Sequence, residues 1–203
     1  MIRNIVFDMG NVLLWFDPER FMDHEGITGK QDREIIRREL FRSAEWAQMD
    51  LGVLTEQEAE KHILPRIPEK LRTNVSNLLF HWPDSRETVP GMEDLLRRLK
   101  EAGYSLYLLS NASIMQHEYW PRFQMSTLFT GKLISCDEGI VKPDPRIYGR
   151  FTEKFGLNPG ECLFIDDQPI NIAAAVNCGW SGIVFHGDAE ELKKKLDAAG
   201  ISV

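Results

Sequence analysis

IRNIVFDMGNVLL, residues 2–14, contains the strongest structural signal in the chain. The run from Ile2 to Phe7 is apolar and rich in β-branched residues, which is typical of a strand buried on both faces. The run ends at Asp8, and a turn follows at Gly10. In an open parallel sheet the carboxyl ends of the strands surround the ligand-binding crevice, so Asp8 is the first candidate for chemistry. An aspartate here is also a common turn former or helix cap, and this segment alone leaves both interpretations open.

The composition sets broad limits on the fold and on possible partners. The chain has 203 residues, 43% of them hydrophobic, which is enough for one large domain or for one domain that carries an insertion. Its 24 basic and 31 acidic residues give a net charge of −7, which argues against a nucleic acid as partner. We expect a monomer or a weak homo-oligomer.

Neither a signal peptide nor a membrane span is expected. The N-terminus lacks a long apolar segment, and no stretch approaches about 18 apolar residues. Cys136, Cys162 and Cys178 lie within or beside apolar segments and lack the spacing of metal ligands, so we interpret them as reduced core thiols. These features favour a cytoplasmic protein.

Residues 15–88 differ in character from the segments on either side. Charged stretches with helical periodicity recur there, with a capping-box signature at Thr55 and Glu58, and with Asp17 and Pro18 in the N-cap and N1 positions of an earlier helix. No convincing strand is visible. The sequence therefore predicts an all-helical cap domain over 15–88, inserted after the first strand. Its predicted helices cover residues 32–41, 43–49, 55–64 and 69–80.

From residue 89 onward, strands alternate with helices. This alternation predicts a parallel sheet with helices on both faces, which is a three-layer, Rossmann-like α/β domain formed by residues 1–14 and 89–203. The predicted strands after the first cover 104–109, 132–136, 162–165 and 182–185, and the predicted helices cover about 91–102, 114–120, 145–155, 169–177 and a last segment after Asp188.

Polar side chains follow the predicted strands at their carboxyl ends, and with Asp8 they all belong to one edge of the sheet. Each has an ordinary alternative: Ser110 as a turn residue, Lys142 as solvated surface and Asp166 as a helix cap. Their joint occurrence at one edge favours a functional site. They are Ser110 and Asn111 after the second strand, Lys142 in the loop after the third, and Asp166 and Asp167 after the fourth.

This set of groups suits a phosphoryl substrate. Carboxylates from two strand ends can hold Mg²⁺, a hard cation that takes oxygen ligands at about 2.0–2.1 Å. The metal and Lys142 would offset the phosphate charge, so that Asp8 could attack phosphorus and form an aspartyl phosphate that water hydrolyses. Ser110 and nearby backbone N–H groups would hold the other phosphate oxygens. A P-loop and a dinucleotide fingerprint, the obvious rivals, are absent from the sequence.

Four segments resemble, in order, the four motifs of the haloacid dehalogenase superfamily, with a helical cap of the C1 type between the first two. They are FDMGNVL (7–13), LLSNAS (108–113), GIVKPDPRIY (139–148) and FIDDQPIN (164–171). The resemblance covers nearly the whole chain. It implies a Mg²⁺-dependent hydrolase in which Asp8 is the nucleophile, Ser110 binds phosphate and Lys142 is the motif lysine.

The same resemblance implies a set of metal ligands. Asp167 would be the fourth-motif ligand, and the backbone carbonyl of Gly10 would join it together with Asp8. Asp166 and Asn171 would support these groups from behind, with Asp166 pairing with Lys142.

One position departs from the family pattern. Family phosphatases usually have a second aspartate, a general acid and base, two residues after the nucleophile, where this chain has Gly10. General acid–base catalysis contributes about 10²- to 10⁴-fold, so its loss should slow the hydrolysis of esters with poor leaving groups. The sequence resembles a subgroup that shares the glycine, the bacterial glucose-1-phosphate phosphatase-like proteins. Asp17 and Asp50 are possible substitutes for the acid, although each also fits a capping or turn role.

The cap is expected to select the substrate. Trp46, Gln48, Asp50 and Gly52 lie between two predicted helices, where a loop facing the crevice could hydrogen-bond a sugar. Trp46 fits the core of the cap equally well. The favoured substrate, a sugar phosphate, rests on the resemblance alone.

Two other classes of protein stay open. A haloacid dehalogenase would use Asp8 on carbon without a metal, but Asp166 and Asp167 would then repel a bound carboxylate. A non-catalytic phosphate-binding scaffold is the other alternative, and the glycine at position 10 is its motivation.

Overall fold

The computed structural model describes residues 1–85 and 87–202. Five parallel strands form one sheet in the order β3-β2-β1-β4-β5. Central β1 pairs with both neighbours, and Phe7 lies opposite Leu108 of one and Ile165 of the other. The register therefore brings Asp8 and Asp166 to the same level at the carboxyl edge. The strands are β1 (Asn4–Phe7), β2 (Ser105–Ser110), β3 (Gly131–Ile134), β4 (Cys162–Asp166) and β5 (Ser181–Val184).

Between β1 and β2 the chain forms a helical segment, residues 15–88, which we call the helical insert. Its described residues contain helices and no strand. The predicted N-cap at Asp17 is confirmed, since its side chain accepts from the N–H of Glu19 at 2.9 Å, and so is the capping box of Thr55 and Glu58. The helices are α1 (Pro18–His24), α2 (Lys30–Ile36) with a π-helical continuation (Arg37–Phe41), α3 (Ala44–Asp50), α4 (Glu56–Ile63) and α5 (Arg72–His81).

The helical insert has an apolar core of its own, in which Ile36, Leu40 and Ile63 have no exposed surface. It joins the sheet through a narrow neck of backbone. The N–H of Trp15 donates to the carbonyl oxygen of Glu87 at 2.8 Å, and that of Val89 donates to Leu13 at 3.0 Å. The division into two domains stays a prediction, and Arg86 and Val203 lie outside the described residues.

Both faces of β1 are covered by helices, and Ile5, Val6 and Phe7 have no exposed surface. Side chains alternate along a strand, so they are divided between the two faces. Ile5 and Phe7 pack on one face of the sheet with α6 (Met92–Glu101) and α11 (Ala189–Ala198). Val6 packs on the other face with α9 (Pro145–Phe155) and α10 (Pro169–Asn177). The predicted three-layer α/β fold is confirmed. Two short helices, α7 (Gln116–Tyr119) and α8 (Ser135–Glu138), lie between β2 and α9.

Two local predictions are wrong. The third strand ends at Ile134, because Ser135 begins α8 and its hydroxyl binds backbone groups of other segments. The predicted helix at 43–49 corresponds to α3, which Ser43 caps through the N–H of Trp46. What is wrong is the loop between helices: Trp46, Gln48 and Asp50 lie on α3, and Gly52 follows in a turn. The other predicted bounds shift by a few residues at most.

All three cysteines are free thiols, but only Cys162 is buried, so the interpretation as core thiols holds fully for that residue alone. Within residues 1–85 and 87–202, no helix has the length and apolarity to cross a bilayer.

Candidate active site

A cavity of about 260 Å³ lies between the carboxyl edge of the sheet and the helical insert. The sheet edge and its loops supply most of the polar lining, and the insert supplies a mainly apolar wall with two carboxyl groups. The first group is Asp8, Met9, Gly10, Asn11, Leu14, Ser110, Asn111, Ala112, Ser113, Tyr119, Lys142, Asp167, Gln168 and Asn171; the second is Phe16, Trp46, Met49, Asp50, Glu56, Leu79 and Trp82.

Asp8 is the residue that follows the central strand. Its N–H donates to the carbonyl oxygen of Ile165 at 2.9 Å, which fixes the start of the loop. Its side chain is 13% exposed and lines the cavity. Burial raises the pKa of Asp8 to about 7, against the opposing effect of Lys142. Additional positive charge at this site would favour the ionised form of Asp8.

The ammonium group of Lys142 joins two carboxylates. Its Nζ lies 2.7 Å from Oδ1 of Asp8 and 2.7 Å from Oδ2 of Asp166, and it donates to the carbonyl oxygen of Leu109 at 3.1 Å. Burial alone would lower the pKa of Lys142, but the two carboxylates hold it above its ordinary value. Lys142 is thus a charged group inside the protein, and its interpretation as solvated surface is wrong.

Asp166 lies behind the cavity rather than in its lining. Its side chain has no exposed surface, and both of its oxygens lie 3.0 Å from Nδ2 of Asn171. Its Oδ1 also accepts from the N–H of Gln168 at 2.8 Å, a turn contact of the kind expected of a capping aspartate. With Lys142 as well, Asp166 has its hydrogen-bonding capacity largely filled, as expected for a buried charge.

Asp167, by contrast, lines the cavity. Its Oδ2 accepts from Nε2 of Gln168 at 2.8 Å and from Nδ2 of Asn11 at 3.4 Å. Carboxylate oxygens of Asp8, Asp166 and Asp167 lie within 4.8 Å of one another, a spacing of hard oxygen donors that fits Mg²⁺. Because Asp166 is engaged elsewhere, Asp8 and Asp167 are the carboxylates free to face a cation.

Ser110 and Asn111 complete the polar side of the cavity. Ser110 is the last residue of β2 and is 4% exposed. Asn111 holds the loop that carries Lys142 through two hydrogen bonds to the backbone of Lys142. The structure therefore brings together every sheet-edge residue that the sequence singled out, and it separates Asp166 from the cavity itself.

Trp46 and Asp50 come from helix α3 of the insert, one turn apart, and both line the cavity. Trp46 also packs against Phe16 and Phe41, with ring centroids 5.8 and 5.4 Å apart, so it belongs both to the core of the insert and to the cavity wall. Burial and the nearby charge of Asp8 raise the pKa of Asp50 to about 7. Gln48 and Gly52 do not line the cavity.

Gly10, where the family's general acid is missing, and Asp17, a possible substitute for it, have clear local roles. Gly10 lines the cavity, and a Cβ built on it would lie 3.5 Å from Cβ of Phe16, an ordinary contact. Its φ is outside the left-handed region, which Asn11 adopts instead with φ 56°. Asp17 caps α1 and is not part of the cavity lining, so it is too engaged to act there.

Several lining residues were missed by the sequence analysis. Glu56, on the first turn of α4, is 3% exposed and accepts a short hydrogen bond from the hydroxyl of Ser113. Phe16, Trp82 and Tyr119 form an aromatic wall, with ring centroids 5.1 Å apart for Phe16 and Trp82 and 5.6 Å for Trp82 and Tyr119. Glu56 follows the capping Thr55, where an acidic side chain is ordinary, so its sequence position gives no signal of a cavity.

Comparisons with known proteins agree with this geometry. A solved structure of a haloacid dehalogenase family enzyme from Bacteroides thetaiotaomicron, in complex with magnesium and inorganic phosphate, is 26% identical, with a TM-score of 0.77 over 95% of this chain and 99% of that one. A sesquiterpene phosphatase of Aspergillus oryzae is 28% identical over 88% of this chain and 87% of its own length.

A flavin mononucleotide hydrolase of Arabidopsis thaliana is 27% identical over 78% of this chain, and the match spans 63% of the length of that relative. The model of one family, the haloacid dehalogenase-like hydrolases, matches residues 2–179. With the sheet order, the Asp8–Lys142 contact and this match in agreement, the chain belongs to the haloacid dehalogenase-like hydrolases.

Proposed function

We propose that this protein is a Mg²⁺-dependent phosphatase that hydrolyses a small phosphate monoester through an aspartyl phosphate on Asp8. One observation carries the proposal: the Asp8 carboxylate lines a cavity, 2.7 Å from a buried ammonium group, beside a second carboxylate at Asp167. A nucleophilic carboxylate, a fixed cation and oxygen donors for a metal are the groups that phosphoryl transfer requires.

In the first step an oxygen of Asp8 attacks phosphorus, and the bond to the ester oxygen breaks. In the second step water attacks the same phosphorus, and Asp8 is released. Lys142 fixes Asp8 from one side and contributes positive charge, and Ser110 donates to a phosphate oxygen. When bound by Asp8, Asp167 and the Gly10 carbonyl, Mg²⁺ supplies further positive charge that lowers the repulsion between Asp8 and the phosphate.

The substrate is a small phosphorylated metabolite, and we favour a sugar phosphate. The cavity, at about 260 Å³, suits a small ester, and the insert offers both Trp46 for stacking and carboxyl groups for hydroxyls. In this proposal residues 15–88 act as a cap domain that selects the substrate. The apolar wall of Phe16, Trp82 and Leu79 also suits a flatter or more apolar phosphate ester, so a substrate panel should contain both classes.

The experiment is hydrolysis of p-nitrophenyl phosphate by the purified protein with Mg²⁺, and with EDTA in its place. Release of p-nitrophenolate that needs the metal supports the phosphatase. Hydrolysis of 2-haloacids without a metal, in the absence of phosphatase activity, would support the dehalogenase alternative. Phosphate binding with no turnover of either substrate class would support the scaffold alternative.

A further inference from the structure

We propose that Asp50, which the helical insert delivers to the cavity, is the general acid and base of the reaction in place of the residue missing at position 10. This assignment rests on the proposed phosphatase function and extends it to one catalytic residue.

Four carboxyl groups line the cavity, on Asp8, Asp50, Glu56 and Asp167. Asp8 is bound to Lys142, Asp167 to Gln168, and Glu56 to the hydroxyl of Ser113. Among residues 1–85 and 87–202, the carboxyl of Asp50 makes no hydrogen bond and no ion pair. It is therefore the lining carboxyl that is free to exchange a proton with a substrate.

The end of helix α3 is fixed to the core at Asp50. The hydroxyl of Ser135 donates to the carbonyl oxygen of Asp50 at 2.5 Å and also accepts from the N–H of Ala112 at 3.0 Å. At Gly52, φ is +70° and a Cβ would lie only 2.3 Å from the carbonyl oxygen of Cys136, so the turn can approach the core only as glycine. These contacts set the position of Asp50 relative to the strand ends, as acid–base catalysis requires.

The surroundings of Asp50 favour its protonated form. Burial, the charge of Asp8 and the charge of Glu56 raise the pKa of Asp50 to about 7, while Lys142 opposes them. Asp50 is also the last residue of α3, where the partial negative charge of the helix end disfavours a carboxylate. The place of Asp50 in the cavity lining and the fixed end of α3 are the features on which its role as proton donor depends.

The proton balance of the two steps is simple. In the first step the bond from Asp8 to phosphorus forms and the ester P–O bond breaks. The electron pair of the broken bond goes to the leaving oxygen. This oxygen takes the proton of Asp50 and departs as an alcohol. In the second step the oxygen of water bonds to phosphorus and the bond to Asp8 breaks. Asp50, now ionised, takes a proton from that water, so the starting state returns.

The test is the dependence of kcat/KM on the leaving group in a series of esters, from alkyl phosphates to p-nitrophenyl phosphate, for the full chain with Mg²⁺. An alkoxide needs its proton as it departs, whereas p-nitrophenolate leaves unaided. For Asp50→Asn we expect kcat/KM to fall about 10²- to 10⁴-fold on alkyl phosphates and by less than about tenfold on p-nitrophenyl phosphate. Because kcat/KM ends with the first irreversible step, the slower second step should show separately, as a lower kcat on every ester.

Three companion variants sharpen the test. Asp50→Glu keeps the proton and should recover part of the alkyl phosphate activity. Gly10→Asp combined with Asp50→Asn places a carboxyl two residues after Asp8, where a Cβ fits. This double variant should recover the weak dependence of kcat/KM on the leaving group that we expect of the wild type. Asp17→Asn is the matched control, since it makes the same chemical change at a helix cap outside the cavity and should leave the dependence unchanged.

The outcomes separate this assignment from the proposed function. If the wild-type protein hydrolyses no phosphate ester with Mg²⁺, both are overturned. If the wild type is active and a folded Asp50→Asn variant loses the same factor on every ester in kcat/KM, the assignment alone is overturned. A steeper leaving-group dependence in Glu56→Gln, with none in Asp50→Asn, would transfer the role to Glu56.

Discussion

Asn111 and Lys142 are joined by two hydrogen bonds that run in opposite directions: Oδ1 of Asn111 accepts from the N–H of Lys142 at 2.8 Å, and its Nδ2 donates to the carbonyl oxygen of Lys142 at 3.0 Å. One side chain thus ties the loop after β2 to the loop that carries the cation. No other amino acid offers this donor and acceptor pair at the same reach, because aspartate lacks the donor and leucine lacks both.

The Asn111 contact gives the first prediction. Asn111→Ala leaves the N–H and carbonyl of Lys142 without these partners, so we expect a loss of about 1–3 kcal/mol in the free energy of unfolding and a lower kcat/KM. Urea denaturation and steady-state kinetics measure the two effects. Asn74→Ala is the matched control, because Asn74 binds the carbonyl oxygen of Glu25 inside the insert, at 3.2 Å. Equal kinetic losses in both variants would show that the Asn111 effect is only one of stability.

The second prediction concerns Asp8. Asp8→Asn removes the nucleophile and changes one residue at the sheet edge, so turnover should fall below a few per cent of wild type while the fold is kept. Phosphatase assays and circular dichroism provide the measurements. Substantial remaining turnover in a pure, folded preparation would mean that Asp8 is not the nucleophile.

A third prediction addresses the metal. Asp167→Ala should raise the Mg²⁺ concentration needed for half-maximal activity at least about tenfold, since even groups behind metal ligands affect affinity by about 10- to 100-fold. High Mg²⁺ should reverse part of the defect. Asp144→Ala, which removes the partly exposed carboxylate that caps the start of α9, controls for the loss of a carboxylate. A defect in Asp167→Ala that does not respond to Mg²⁺ argues against a ligand role.

The wall that the helical insert contributes to the cavity gives the fourth prediction. Trp46→Phe keeps an aromatic ring but reshapes the cavity. It should therefore change the ranking of kcat/KM among sugar phosphates and apolar phosphate esters more than it changes kcat/KM for p-nitrophenyl phosphate. Trp120→Phe, in the apolar core of the α/β domain and outside the cavity lining, is the matched control. A uniform loss on all substrates in Trp46→Phe would indicate misfolding of the insert rather than selection of the substrate.

The fifth prediction is a pH dependence of stability in the absence of metal. Burial raises the pKa of Asp50 from its ordinary 3.8 to about 7, so between these values the folded protein holds a proton that the unfolded chain has released. Stability contributed by this proton is lost as the pH rises to about 7. Asp50→Asn removes the share of the dependence that Asp50 contributes, and the variant should be more stable than wild type at pH 8, on the order of 4 kcal/mol.

Urea denaturation at pH 4 and pH 8, with EDTA, measures this difference, which should nearly vanish at the lower pH. Asp17→Asn serves again as control, because asparagine caps a helix as well as aspartate does. A gain in Asp50→Asn of the same size at both pH values would contradict a raised pKa.

The sheet and the sheet-edge residues could be predicted from the sequence because each depends on local patterns. A strand buried on both faces has an apolar run, as in Ile5 to Phe7, and the parallel order brings the residue after each strand to one edge. The predicted helix at 145–155 matches α9 residue for residue, since Asp144 caps it and Gly156 ends it in the left-handed region.

The insert side of the site could not be predicted in the same way. Asp50 lines the same cavity as Asp8 because Ser135 and Cys136, far along the chain, hold the end of α3, and nothing near residue 50 signals those contacts. Glu56 and Trp82 reach the cavity for similar reasons of tertiary packing. The hydrogen bonds of the Ser135 hydroxyl to the backbone of Asp50 and Ala112 also explain why the predicted third strand was too long.

The backbone neck between Leu13–Trp15 and Glu87–Val89 has a consequence for changes in the length of the insert. Two backbone hydrogen bonds, of 2.8 and 3.0 Å, hold the two ends of the insert together, so the chain between them closes a loop whose ends are already fixed. Loop-closure entropy grows only slowly with length, by about 0.6 kcal/mol for each doubling. The neck thus fixes where the insert begins and ends, and we expect changes in the length of the insert to cost the sheet little stability as long as the contacts of Asp50 and Gly52 with the core are kept.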